Sequence, residues 1–453
     1  MPFLESEIAD FLLMSIIALI LGHTMKLYYQ KRWFALEPLN AFWVGIYMSY
    51  ISPIISFENI LRSWHADGVF EETLFWILFG FIWLIVGYEL KIGVRLGRHL
   101  PRIADNISPF KLKLFGWLLV GLGFIGYIHL FESSGGFYAW VAVPRGGTNY
   151  EEIIGYLGQL ADLLPAGISL LVFQVYIHPS SKLEKLVPWM LAALMLWWFI
   201  YLGTRSRTIM LTISLLAAVY LPKRKNPPLY LILSILLSLM IITKFQSNYR
   251  NYFTNLSFNL DQMDLQEAYG VSVPTFLGGS SASKKELVSG GLEINCTLSV
   301  VELVPSNVDY NYGYGHLEVF TRLIPRALWP NKIYPGMESV QGVLKEAQLS
   351  GAYVRDRDLL MGPAFSYIGH WYYVGGAVAL VIAGIATGIF FRAIYSYYDY
   401  NSNSQGTVIL YSLLIPIGFG EASTTPMSWV FTLPFILIPL GVVLRFSRLK
   451  RNS

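Results

Sequence analysis

The sequence is poor in charge and has almost no cysteine. Of its 453 residues only 14% are Asp, Glu, Lys or Arg, against about 25% in a soluble domain, which excludes an ordinary water-soluble globule. A single cysteine, Cys296, excludes an internal disulfide and any cysteine-based zinc site. No basic run exceeds Lys223-Arg224-Lys225 and the formal net charge is only +4, so no nucleic-acid partner is expected. The first apolar run follows Glu5, Glu7 and Asp10 rather than a positive segment, so a cleaved signal peptide is not expected either. No internal repeat is visible, which argues against transporter folds built from paired halves. What is abundant is apolar: 54% of residues are hydrophobic and the mean hydropathy is +0.49. This is the composition of an all-α polytopic membrane protein.

Windows of roughly 17–25 mostly apolar residues mark membrane spans. They fall near 11–28, 40–57, 73–90, 114–131, 155–178, 187–203, 208–222, 228–244, 372–395, 407–425 and 428–446, which predicts about eleven transmembrane helices. The chain therefore divides into a first block of helices over 1–244, one long loop with short helices over 245–371, and a second block with a tail over 372–453. Lys and Arg concentrate in alternate short loops, among them Lys26, Lys31 and Arg32, then Lys91, Arg95, Arg98 and Arg102, then Lys223–Lys225, then Arg445–Arg451. The positive-inside rule puts those loops, and the C-terminus, in the cytoplasm. The N-terminus and the long loop then lie outside.

That placement leaves Arg145, Arg205, Arg207, Arg322 and Arg326 on the outer side, where the rule does not account for them. One reading is solvated or headgroup-snorkelling side chains, and for Arg62, another outer cation, that reading stands level with a functional one. For the pair in Gly203-Thr204-Arg205-Ser206-Arg207-Thr208, a tight turn between two spans, a functional reading is preferred, because charge at membrane depth is costly and faces a cavity. Asp162, inside an apolar span, is a functional candidate on the same ground, or else a carboxylate paired to a neighbouring helix. Guanidinium groups bind phosphate oxygens bidentately. Three outer loops carrying them could converge on one diphosphate.

The stretch Asn311–Gly336, NYGYGHLEVFTRLIPRALWPNKIYPG, organises the long loop. It holds Arg322, Arg326, Lys332, His316 and Glu318 among prolines that stop a continuous helix. Its aromatics, Tyr312, Tyr314, Trp329 and Tyr334 with the neighbouring Tyr310, suit a sugar-binding groove. Proton-transfer candidates on this side are His316, Glu318, Glu338, Asp356, Asp358, His370 and Glu421, and the residues do not choose among them. Glu318 and Arg322, four apart, also read as a helical ion pair. Asp356-Arg357-Asp358 is rejected as a metal site because Arg355 and Arg357 oppose a cation. Gly278-Gly279-Ser280-Ser281 lacks phosphate-loop spacing and reads as a turn.

Ile324-Pro325-Arg326-Ala327-Leu328-Trp329-Pro330-Asn331-Lys332 resembles the Pro-Arg-x-Leu-Trp-Pro-x-Lys-Pro signature of Wzy-type O-antigen and oligosaccharide repeat-unit polymerases. Gly203-Thr204-Arg205-Ser206 resembles the family's Gly-(Thr/Ser)-Arg motif. The stretch from Gly362-Pro363 to Gly375-Gly376 resembles its Gly-Pro…Gly-x-x-Gly region. Three positions depart from the pattern: Ile333 replaces the final Pro, and His370-Trp371 stand where relatives often have Glu and a smaller aromatic. The resemblance implies a GT-C-like helical architecture in the bacterial inner membrane. It implies a glycosyltransferase that passes a growing glycan from undecaprenyl diphosphate to a new lipid-linked repeat unit. That oligosaccharide would be both donor and acceptor, with membrane lipid and a chain-length regulator protein as further partners. No cofactor or metal is implied, because the diphosphate already activates the sugar. Arg205 and Arg326 carry over as diphosphate contacts, with Arg145 as a weaker match. Beside them, Arg322, Glu318 and His316 are candidates for the chemistry, and Arg207, Lys332, Trp329 and Tyr314 for binding substrate. The rival expectations are an O-antigen ligase, a lipid-linked oligosaccharide flippase or other transporter, and a non-catalytic scaffold for glycan assembly.

Overall fold

The computed structural model describes residues 6–103, 107–133, 158, 160–178, 181–201, 205–239, 241, 293–313, 329, 365–423 and most of 437–446, without the side chains of Ile60, Tyr201, Arg205 and Ser206. Among the described residues every extended element is a helix. In chain order these are α1 (Glu7–Tyr29), α2 (Pro38–Ile46), α3 (Ser52–Trp64), α4 (Val69–Glu89), α5 (Lys91–His99), α6 (Pro109–Ser133), α7 (Leu163–Ile177), α8 (Lys182–Tyr201), α9 (Arg205–Tyr220), α10 (Leu229–Leu239), α11 (Glu293–Leu303), α12 (Ser366–Asn401), α13 (Gln405–Leu414) and α14 (Pro416–Ser423). Seven stretches among them are long and apolar enough to cross a membrane. The shorter Arg207–Tyr220 and Leu229–Leu239 are apolar too, and most of the window at 428–446 lies outside the described residues. The outer face of the bundle is itself apolar. On α6, Phe110, Leu114, Leu118, Ile125 and Ile128 are all exposed, as side chains facing lipid tails must be. The chain is a membrane-embedded helical protein.

The window at 40–57 is not one straight helix. Pro53 has no N–H and its ring crowds the carbonyl four residues earlier. The helix accommodates it by widening to a π-turn over Tyr47–Ile51 between α2 and α3, the usual local answer to such a clash. The bend delivers Tyr50 into the centre of the bundle, fully buried. Its hydroxyl meets Ser366 Oγ and lies 3.3 Å from Thr297 Oγ1, and it accepts from the Ile368 N–H at 3.1 Å. One phenol thus ties the bend to α11 and to the start of α12.

Two apolar cores share the α12 shaft. One gathers α1 to α4, α11 and the first half of α12; the other gathers α6 to α9, the end of α12, α13 and α14. In lipid there is little hydrophobic gain in pressing one apolar helix on another, so close backbone approach has to supply the adhesion. Glycine supplies it where α4 runs along α12. A Cβ on Gly87 would stand 2.3 Å from the Ile385 carbonyl oxygen, and one on Gly388 would stand 2.2 Å from that of Leu84. The α12 helix is broken at Gly375-Gly376, with Gly376 at φ +59°. The Tyr310 side chain fills the space a Cβ on Gly376 would occupy, and the Asn311 N–H donates to the Tyr373 carbonyl at 3.0 Å.

The two ends of the bundle differ in polar chemistry. At the Lys- and Arg-rich end, Glu89 gathers His23, Lys26 and Arg32 at 3.1, 3.1 and 3.5 Å, and Lys113 meets Glu184 at 2.8 Å. At the opposite end Arg62 lies 2.8 Å from both Glu58 and Glu71, so it is held in an ion-pair cluster. His65 bridges Glu302 at 2.6 Å and Asn295 at 2.8 Å and so fastens α11 to the turn before α4. Burial works against the Glu302 carboxylate, but the His65 bond and charge and the Ala66 N–H outweigh it and hold its pKa below the usual range.

Candidate functional site

Of the sequence-predicted site residues, the structure brings Arg207 together with Asp162. The chain reaches this arrangement by a close helix approach. Gly126 on α6 leaves room for the backbone of the short 3₁₀ turn Leu160–Asp162, where a Cβ would stand 2.3 Å from the Ala161 nitrogen. Asp162 then sits beside Tyr127 and at the start of α7. An aspartate there ordinarily caps the helix with its side chain, but this one makes no capping bond. Instead its Oδ1 lies 3.4 Å from Arg207 Nη2, while Arg207 Nη1 approaches the Tyr127 hydroxyl at 3.5 Å.

Arg207 occupies the first turn of α9. The Gly203–Thr208 stretch was expected to be a tight turn between spans, yet the helix already begins at Arg205, so both arginines of the motif stand where the helix dipole is positive. Cations are disfavoured at a helix N-terminus. The helix N-terminus, together with two guanidinium-bearing positions, makes a point of concentrated positive charge suited to an anion. Both side chains of the Arg207–Asp162 pair are about a third exposed, 32% and 31%, and their contacts are long. The pair is thus accessible, and a phosphate oxygen could reach the guanidinium beside Asp162.

The other expected positions divide. Arg145, Arg322, Arg326, Glu318, His316, Lys332 and Tyr314 lie outside the described residues, as do Glu338, Asp356, Asp358, Tyr334 and the Gly278–Ser281 turn, and of Arg205 only the backbone is described. Trp329 is 42% exposed. Tyr310 packs edge-on against Tyr312 and Tyr372 at 6.0 and 6.4 Å, and Trp76 meets Tyr372 at 5.2 Å. That makes an aromatic ledge at the α12 break, with Tyr312 80% exposed on its rim. His370 stands on α12 with its ring edge-on to Trp371. Glu421, a proton-transfer candidate, is instead a core residue of α14, 3% exposed, so solvent and substrate do not reach it. Among the described residues no group of three or more His, Cys, Asp or Glu could hold a metal ion.

No family model matches the chain. No curated protein and no solved structure matches it either. The site therefore stands on its own geometry.

Two features escaped the sequence reading. Tyr127 sits in an apolar run with no mark of a polar role; the Gly123-x-x-Gly126 spacing beside it was the available signal of a close neighbour. At the other end of the bundle, Glu37 is 1% exposed. Its Oε2 accepts from the Tyr88 hydroxyl, which in turn receives Arg392 Nη1 at 3.3 Å, while Oε1 has no hydrogen-bond partner. Burial pushes the Glu37 carboxyl up to about 8, against the lowering pull of the Tyr88 bond and the Arg392 charge.

Proposed function

We propose that this protein polymerises lipid-linked oligosaccharide repeat units, as a glycosyltransferase using an undecaprenyl-diphosphate donor at the outer face of the bacterial inner membrane. The observation that carries the reading is the accessible Arg207–Asp162–Tyr127 set at the start of α9, at the end of a membrane bundle away from its Lys-rich end. The Arg205 motif opens that same helix, and the Arg326 motif lies in the long segment before α12. In this reading the fold has eleven spans in a GT-C-like arrangement. The N-terminus lies outside, the C-terminus in the cytoplasm, and residues 245–371 cap the outer face.

The chemistry follows from the charges. A hydroxyl of the acceptor sugar attacks the anomeric carbon of the growing chain, and the bond from that carbon to the diphosphate breaks. The diphosphate leaves with the electron pair. Arg205 and Arg326, supported by Arg145, Arg207, Arg322 and Lys332, neutralise the charge that develops there, the largest single contribution such a site can make. A base, for which His316 and Glu318 are the candidates, takes the hydroxyl proton. Tyr314, Trp329 and the ledge at Tyr310 and Tyr312 offer ring faces to the sugars.

The test is the size profile of the host's surface glycan with the gene deleted, restored, or restored as Arg326→Ala. A ladder that collapses to a single capped unit on deletion, and is not rescued by an Arg326→Ala protein present in the membrane, supports the reading. Loss of even the single capped unit overturns it in favour of a ligase or a flippase.

A further inference from the structure

We infer that α5 is a binding site for anionic phospholipid headgroups at the Lys-rich end of the bundle. The inference needs only the membrane-embedded fold and not the catalytic reading. The helix has three faces. Gly93 and Gly97 press its backbone onto α12, where added Cβ atoms would stand 2.8 Å from the Ile389 carbonyl oxygen and 2.4 Å from that of Ala393. On one flank Ile92, Leu96 and Leu100, each four apart, are 49%, 52% and 49% exposed. On the face turned away from α12, Lys91, Arg95 and Arg98 are all exposed, with His99 beside them donating to the Arg95 carbonyl.

Water is a poor partner for the Ile92–Leu96–Leu100 flank, and a folded neighbour is absent among the described residues. The glycine contacts advance four residues on α5 as they advance four on α12, so α5 continues the line of α4 down the shaft and stays at the bundle wall. An apolar flank there faces acyl chains. The cationic face beside it then stands at the level of the phosphates, and from Lys91 to Arg102 the sequence holds no acidic residue to compete for it. Charge complementarity therefore selects an anionic headgroup, which a basic cluster at a membrane surface attracts by roughly fivefold per cation. Arg62, at the opposite end of the bundle, is by contrast already satisfied by Glu58 and Glu71.

The full-length protein, purified and exchanged into nanodiscs of phosphatidylcholine with one-fifth phosphatidylglycerol, gives the measurement: the ratio of the two lipids retained, read by mass spectrometry. The wild type is expected to enrich phosphatidylglycerol. Lys91→Gln/Arg95→Gln/Arg98→Gln is expected to weaken headgroup binding by roughly a hundredfold and so to erase that enrichment, whereas Lys182→Gln/Lys185→Gln, exposed cations on α8, leaves it nearly unchanged. Should the triple variant fail to fold, the wild type alone decides: raising salt towards 1 M, where screening shortens to about 3 Å, must erase the enrichment. A photoreactive phosphatidylglycerol must also label the peptide containing residues 91–99. Equal enrichment in both variants, labelling confined to other peptides, or a co-purifying protein displaced from α5 by lipid would each overturn the inference.

Discussion

Two sets of the same three chemical groups stand at opposite ends of this bundle. Arg392, Tyr88 and Glu37 are closed in; Arg207, Tyr127 and Asp162 are open. In the first, the tyrosine is buried, the carboxylate is 1% exposed, and the arginine is laid over the Tyr88 ring. In the second, guanidinium and carboxylate are each a third exposed and meet at 3.4 Å. The same groups serve different ends because burial differs. A closed set gains from its internal bonds and suffers if one is lost. An exposed set contributes little to folding, and its groups can be reached from outside.

Substitutions can break or sharpen that contrast, and the largest effect is expected at the closed end. Arg392→Ala strips the buried Tyr88 hydroxyl of its charged partner and should cost about 2–3 kcal/mol, read as a lowered melting temperature in detergent. Next comes pH. Because the Glu37 carboxyl rises from its ordinary 4.5 to about 8 on folding, the folded state holds a proton that the unfolded chain gives up. Its contribution is complete below about 4.5 and is lost as pH climbs through about 8. Melting temperature should fall across that window in the wild type and flatten in Glu37→Gln; a flat wild-type profile would sink the claim. Third, Tyr88→Phe should cost about 1–2 kcal/mol as a buried bond to a charged group is lost, and Tyr127→Phe less than about 0.5 kcal/mol. Arg207→Ala is likewise expected to cost little, under about 1 kcal/mol, although the glycan ladder should shorten. If Arg207→Ala instead melts as early as Arg392→Ala, the open set is structural and the contrast fails.

Acidification probes a separate clasp. The Glu302 carboxylate is held low chiefly by His65, so its contribution is present above its ordinary pKa and fades as pH drops through the folded value. Hydrogen-exchange protection in α11, taken relative to the intrinsic rate at each pH, should fall at low pH in the wild type and be low at every pH in His65→Ala.

Much of the scaffold was readable from the residues. Apolar runs near 11–28, 73–90 and 372–395 gave α1, α4 and the shaft of α12 because hydropathy over a membrane length is a direct consequence of the solvent. The run at 40–57 gave position but not shape, since the π-turn ahead of Pro53 is settled by one local clash. At the candidate site, Arg207 and Asp162 were each visible as a charge in an apolar setting. Their pairing was not, because it depends on how closely α6 approaches the Leu160–Asp162 turn, and that rests on one missing Cβ at Gly126. Arg392 is a lone cation inside the apolar window at 372–395. Counting sign along a chain does not reveal that it is folded over a tyrosine, nor that Glu37 lies beneath it. The Asn311–Gly336 stretch, most informative as sequence, falls almost wholly outside the described residues.

The break at Gly376 has a consequence for the geometry of the chain on either side. Asn311 is pinned to the Tyr373 carbonyl, and Thr297 is pinned to that of Phe365 at 3.2 Å, so two positions on either side of residue 300 are both clamped to the start of α12. Holding positions so far apart in the chain together costs an entropy that grows only with the logarithm of their separation, about 0.6 kcal/mol for each doubling. A few hydrogen bonds at the broken end of α12 are therefore enough to offset the joining of distant stretches.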